Sequence, residues 1–240
     1  MTSLDSPAIA RMQALIRRWE ETSDQRAIFL SCYMMMTRNM LSAIDQHEFK
    51  DPVWVDRLLH RFADYYFVAL ELYERNASAA PSVWQLAHNT TRNPKALPLQ
   101  NLLLGVNAHI NYDLVLTLAD LLRPEWVSLS DRQRADRYAD HCHVNDVIGR
   151  TIDAVQDQVL EPAMPVMDLL DKLLGPIDEI LISRLIAQWR EAVWQHATRL
   201  LEALELDEQT QLIRQVEEEA LQLGKIISLT DARTTLSGLV

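Results

Sequence analysis

Glycine and proline are scarce in this chain of 240 residues, at five and nine respectively. So few glycines leave little material for loops that cradle phosphates, and the local signatures of several common chemistries are missing. There is no GxxxxGK phosphate loop, no GxGxxG dinucleotide turn, no GxSxG nucleophile elbow, no HExxH zinc helix and no CxxCH haem site. Paired ExxH helices of the di-iron bundles are absent too. Two cysteines, Cys32 and Cys142, are too few for a disulfide framework or a cysteine zinc site.

Positive charge is also in deficit. Twenty-three basic residues against 34 acidic ones give a formal net charge of −11, and a phosphate backbone would be repelled by most such surfaces, so no nucleic-acid partner is expected. The first residues, MTSLDSPAIARMQALIRRW, hold no continuous apolar core of a secretory signal, so cytoplasmic residence is the expectation. One apolar run, Leu102 to Leu122, is long enough to span a bilayer. Its centre carries Asn107, His109, Asn111, Tyr112 and Asp113, which reads as a buried helix and not a transmembrane segment.

What is present is helical periodicity. Hydrophobic residues make up 48% of the chain and recur mostly at three- and four-residue intervals, which predicts an all-α fold. Caps and breakers divide the chain into roughly eight helices. The first starts at Ser6 and Pro7, the second runs from about Asp24 to His47, and Asp51 with Pro52 opens a third that ends near Asn76. Pro81 opens a short one. The stretch NPKALPLQ reads as a loop before a central helix over about 99–122. Ser130 and Asp131 start a helix toward Leu160, Pro162 and Pro165 interrupt, and a short helix reaches Leu174 before Gly175 and Pro176. A long helix from Asp178 to Leu204 and a last one from near Asp207 complete a single bundle over 1–240, with 229–240 a frayed tail.

At 100° per residue His109 and Asp113 share one face of the central helix, and Asn107 and Asn111 share the nearly opposite one. Polar groups in such a segment are expensive without partners, so a buried polar site is expected there. The stretch DRYADHCHVND supplies a second half-site: Asp136, Asp140 and His143 follow one another along a helical face, with Asn145 and Asp146 one step around.

The segment GVNAHINYDL, with YADHCHVNDVI and WREAVWQHA, resembles an uncharacterised bacterial domain-of-unknown-function family whose recurrent segment is G-x-N-A-H-I-N-x-D-L. Gly105, Asn107, Ala108, His109, Ile110, Asn111, Asp113 and Leu114 carry that match, which implies a helical fold and supplies no activity. A more distant likeness is to zinc-dependent phospholipase C and P1-type nucleases, through Leu104, Gly105, His109 and Asp113. It implies a divalent metal such as zinc. The chain departs from those enzymes after Asp113, where their P-x-H and H-x-x-x-E elements are missing.

Two readings follow. In the first, His109, Asp113 and a residue of the His143 helix hold a metal whose water attacks an ester or phosphoester, His143 or Asp146 completes the coordination or acts as general base, and Asn107, Asn111, Tyr112 and Asn145 orient a small-molecule ligand. In the second, the protein is a non-enzymatic binding or interaction protein, a homo-oligomer among its forms, and these side chains make a structural hydrogen-bond network. His88 and His196 beside Trp84 and Trp194, the aromatics Tyr65, Tyr66, Phe67 and Tyr73, and Met34 to Met36 read as packing residues.

Overall fold

Where the helices stop follows from the few residues able to stop them. A computed structural model of the chain describes residues 6–155 and 179–229, and among these every long element is an α-helix. The expected continuation to Leu160, the short helix before Leu174, Gly175 and Pro176, and the tail lie outside the described residues. Eight helices are described: α1 Pro7–Glu21, α2 Arg26–Asp45, α3 Pro52–Arg75, α4 Ser82–Thr90, α5 Pro98–Leu122, α6 Asp131–Val155, α7 Glu179–Glu202 and α8 Leu206–Leu229.

Local chemistry sets the starts. Asp51 accepts the Trp54 backbone N–H at 3.0 Å and Pro52 occupies the first turn of α3, satisfying one orphan donor and needing none. At α6, Ser130 and Gln133 cap each other: the Gln133 side chain accepts the Ser130 N–H at 2.9 Å, and Ser130 Oγ accepts the Gln133 N–H at 3.4 Å. The loop expected over NPKALPLQ is shorter than it reads, because Pro98 is the first residue of α5. Gln100 accepts the Leu97 N–H at 3.0 Å, so this proline starts a helix where it was expected to prevent one.

Helix α5 is apolar nearly all round and is therefore enclosed. Its amino-terminal half packs against α2, α4 and α8, its carboxy-terminal half against α3 and α7, and α6 closes over α2 and α7. Among the described residues it is the one helix long and apolar enough to cross a membrane, and 78% of its most apolar window is buried inside the protein. Close approach to α2 is possible because Gly105 has no Cβ: one built there would lie 2.4 Å from the Phe29 ring.

Candidate functional site

Midway along α5 the helix widens into a single π-turn, His109–Asp113, in which the Leu114 N–H bonds the His109 carbonyl five residues back. Such a bulge is rare in a helix and frequent at functional positions. Thr117 Oγ1 donates to the Asp113 carbonyl at 2.7 Å, supplying a partner next to the altered turn.

On one side of this turn His109 Nδ1 lies 2.9 Å from Asp113 Oδ2, and both residues are buried. Trp84 of α4 donates its indole N–H to the same carboxyl, 3.1 and 3.0 Å from the two oxygens. Burial drives both members of the pair toward their neutral forms: the His109 imidazole falls well below its usual range, and the Asp113 carboxyl rises well above its own against the opposing Trp84 hydrogen bond. A neutral pair holds two protons. With the carboxyl donating to Nδ1, the ring's own proton is on Nε2. That Nε2 is buried and has no hydrogen-bond partner.

Aromatic rings pack around the imidazole. Phe62 stacks on it at 3.5 Å between centroids and 6° between planes, and the Tyr33 ring meets it edge-on at 4.3 Å. Beyond them lies a cavity of about 180 Å³, walled by α2, α3, α5, α6 and α7. Its lining is mostly apolar, with Met36, Leu58, Phe62, Leu103, Val144 and Ile148 among the side chains, and the polar residues on it are His109, Arg190, Tyr33 and Thr37. Cys32 also lines it, its thiol pushed up to about 12 by burial and so protonated at neutral pH. Asp113 and Trp84 do not line the cavity; they stand behind the histidine.

On the other side of α5 the asparagines are engaged with the protein itself. Asn107 Nδ2 donates to the Ala220 carbonyl of α8 at 2.8 Å, and Asn111 Nδ2 donates to Asn107 Oδ1 at 2.9 Å. Together they tie α8 to α5, and Asn111 also borders a small surface pocket with His196 and Glu219. Tyr112 is buried in the core.

Helix α6 turns its apolar residues toward the cavity and its charged ones away. Val144, Ile148 and Ile152 line the cavity, whereas His143 and Asp146 do not. His143 pairs with Asp146 at 2.9 Å and with Glu48 at 3.2 Å in a half-exposed cluster that includes Arg150. Asp140 caps the turn into α3, accepting the N–H groups of Lys50 and Asp51 at 2.7 and 2.9 Å. Asn145 accepts from Arg190 Nε at 2.8 Å. The structure thus brings His109, Asp113 and Trp84 together and joins neither His143 nor Asp146 to them by a hydrogen bond.

A zinc-type site takes three or four protein donors. Among the described residues no group of three His, Cys, Asp or Glu is placed to hold a metal ion, and the oxygens of Asp113 already accept from Trp84 and face His109. The donors present do not fit that ion. Residues that composition did not single out, Phe62, Trp84 as a hydrogen-bond donor and Arg190, complete the surroundings of His109; their proximity is tertiary, and only the polar character of Trp84 and Arg190 hinted at a need for partners.

These features define a class: an all-helical protein whose central helix bears a buried, carboxyl-supported histidine at the wall of an apolar cavity. The chain belongs to a family of unknown function, DUF5995, whose profile covers residues 6–230. No curated protein and no solved structure matches it.

Proposed function

We propose that this protein binds a small, largely apolar molecule in the cavity beside His109, and that the imidazole Nε2–H orients the ligand through one hydrogen bond. The observation that carries this reading is a buried Nε2 with no partner, on a ring held from behind by Asp113 and Trp84, at the edge of an apolar space. Leaving a buried donor unmade costs on the order of 1–3 kcal/mol, which a ligand acceptor recovers. Concave, mostly apolar sites with few fixed polar groups are the usual form of small-molecule sites. A cavity of roughly 150 Å³ with aliphatic and aromatic walls admits benzene. This one suits a single ring or a short chain bearing one functional group.

Metal-assisted hydrolysis, the enzymatic reading of the sequence, has no third donor beside His109 and Asp113 among the described residues to support it. Binding is the reading favoured here. Toluene and acetophenone test it as neutral probes in thermal-shift titrations of the parent chain and of Ile148→Trp, which fills the cavity. Both probes should raise the melting temperature of the parent, acetophenone more because its carbonyl accepts from Nε2, and neither should raise that of the folded variant. No shift with either probe in the parent would overturn the reading.

A further inference from the structure

The one permanently charged residue on the cavity wall, among the described residues, is Arg190 of α7, and it is 4% exposed. Its partners are all neutral. Nε donates to Asn145 Oδ1 at 2.8 Å, and Nη2 donates to the His141 carbonyl at 2.6 Å and to His141 Nδ1 at 3.3 Å. His141 Nε2 in turn donates to the Arg190 carbonyl at 2.9 Å, which fixes that ring as a neutral, Nε2-protonated tautomer. Two less buried arginines are treated differently: Arg26 pairs with Asp24 and Glu74, and Arg137 pairs with Asp51 and Glu125. Arg190 has no carboxylate partner among the described residues.

An arginine keeps its charge in a protein interior, and burying that charge beside neutral acceptors alone is costly. Burial pulls this guanidinium down to about 10, low for arginine yet still fully charged at neutral pH. With Nε and Nη2 engaged by Asn145 and His141, the Nη1 N–H groups are left to donate to an anion, and a carboxylate supplies the single negative charge that this guanidinium lacks. Around it, the cavity offers mostly apolar walls and, among the described residues, no second cation.

We infer that the ligand is a monocarboxylic acid with a compact apolar body, its carboxylate taken by Arg190 and its body enclosed by the cavity. This rests on the reading of the cavity as a binding site and adds the charge of what it holds. Phosphate esters fit less well, because a dianion would leave one charge without a partner among apolar side chains.

The experiment compares two probes of nearly equal shape, phenylacetate and 2-phenylethanol, by calorimetric titration at pH 7 with toluene as the apolar reference. Phenylacetate should bind the parent chain at least tenfold more tightly than the alcohol, and Arg190→Gln should bring the ratio close to one, while Arg190→Lys keeps part of it. Should Arg190→Gln fail to fold, the Arg190 Nη–H resonances of the parent provide the second readout: phenylacetate should shift them and 2-phenylethanol should not. Equal affinity for acid and alcohol, or Nη–H resonances indifferent to phenylacetate, would overturn the carboxylate inference and leave the cavity reading standing. Absence of binding by all three probes would overturn both.

Discussion

His109 and Asp113 are four residues apart, and that spacing alone placed them on one face of a helix. What the spacing did not contain is the side of the pair that faces away from the chain's own carboxyl. Nε2 has no partner: Phe62, Tyr33 and the cavity lie around the ring, and these rings come from other helices. Replacing the imidazole removes one of the groups that satisfy a buried carboxyl. His109→Ala should cost about 1–3 kcal/mol in urea denaturation, Trp84 remaining to support Asp113. Asn111→Leu should cost less, because Asn111 is half-buried and its amide bonds only to Asn107. A midpoint for His109→Ala equal to that of the parent would contradict the account of the pair.

Protonation gives a second prediction at the same scale. His88 is buried against Trp84 and Tyr73 with its Nε2 unpartnered, and burial pushes the ring down to about 3. Its folded value lies below its unfolded one, so the unfolded chain binds the extra proton as pH falls below about 6.5, and stability drops until pH approaches 3. Between pH 7 and pH 5 this single ring costs about 2 kcal/mol by linkage. His88→Phe should remove that increment, read as a smaller difference between urea midpoints at the two pH values. The His109–Asp113 pair behaves otherwise. Neutral in the fold, it holds the same number of protons as an unfolded imidazolium and carboxylate between roughly pH 4 and 6.5, and it adds no slope there. An unchanged pH dependence in His88→Phe would show that this ring titrates in the folded protein.

Among the elements, starts and stops were the most readable feature, because Asp51, Pro52, Ser130 and Asp131 act locally and need no tertiary help. Pro98 misled as a breaker for the same reason it is tolerated: at the first helical position its missing N–H has no role, and its side of the loop becomes helix. The π-turn was invisible, since His109 and Asp113 stack in an α-helix nearly as well as in the wider turn. Gly105 shows how far packing between elements depends on one missing atom. With a Cβ there, either Phe29 leaves its place among Tyr33, Tyr66 and Trp84 or α2 moves off α5. Gly105→Ala should therefore destabilise by about 1–3 kcal/mol despite its gain in helix propensity, measured by chemical denaturation. A stabilised variant would mean that the α2–α5 interface has slack.

At the scale of the molecule, periodicity was enough to give an all-helical protein around a buried central helix, because a segment apolar on nearly every side has nowhere else to go. It was not enough to give the cavity. A space between helices is a deficit summed over five of them, and no one of them records it. Nor did the acidic surface bear on the interior, where the cavity's charged side chain is the basic Arg190. Ion pairs such as Arg26 with Asp24 on the outer part of the bundle are ordinary by comparison.

The central claim, that an apolar molecule enters beside His109, is tested most directly by NMR on the parent chain saturated with toluene. The account predicts nuclear Overhauser contacts from toluene protons to the His109 ring of α5 and to the methyl groups of Val144 and Ile148 of α6, which line the same cavity. Contacts confined to other residues, or none at saturating toluene, would contradict it.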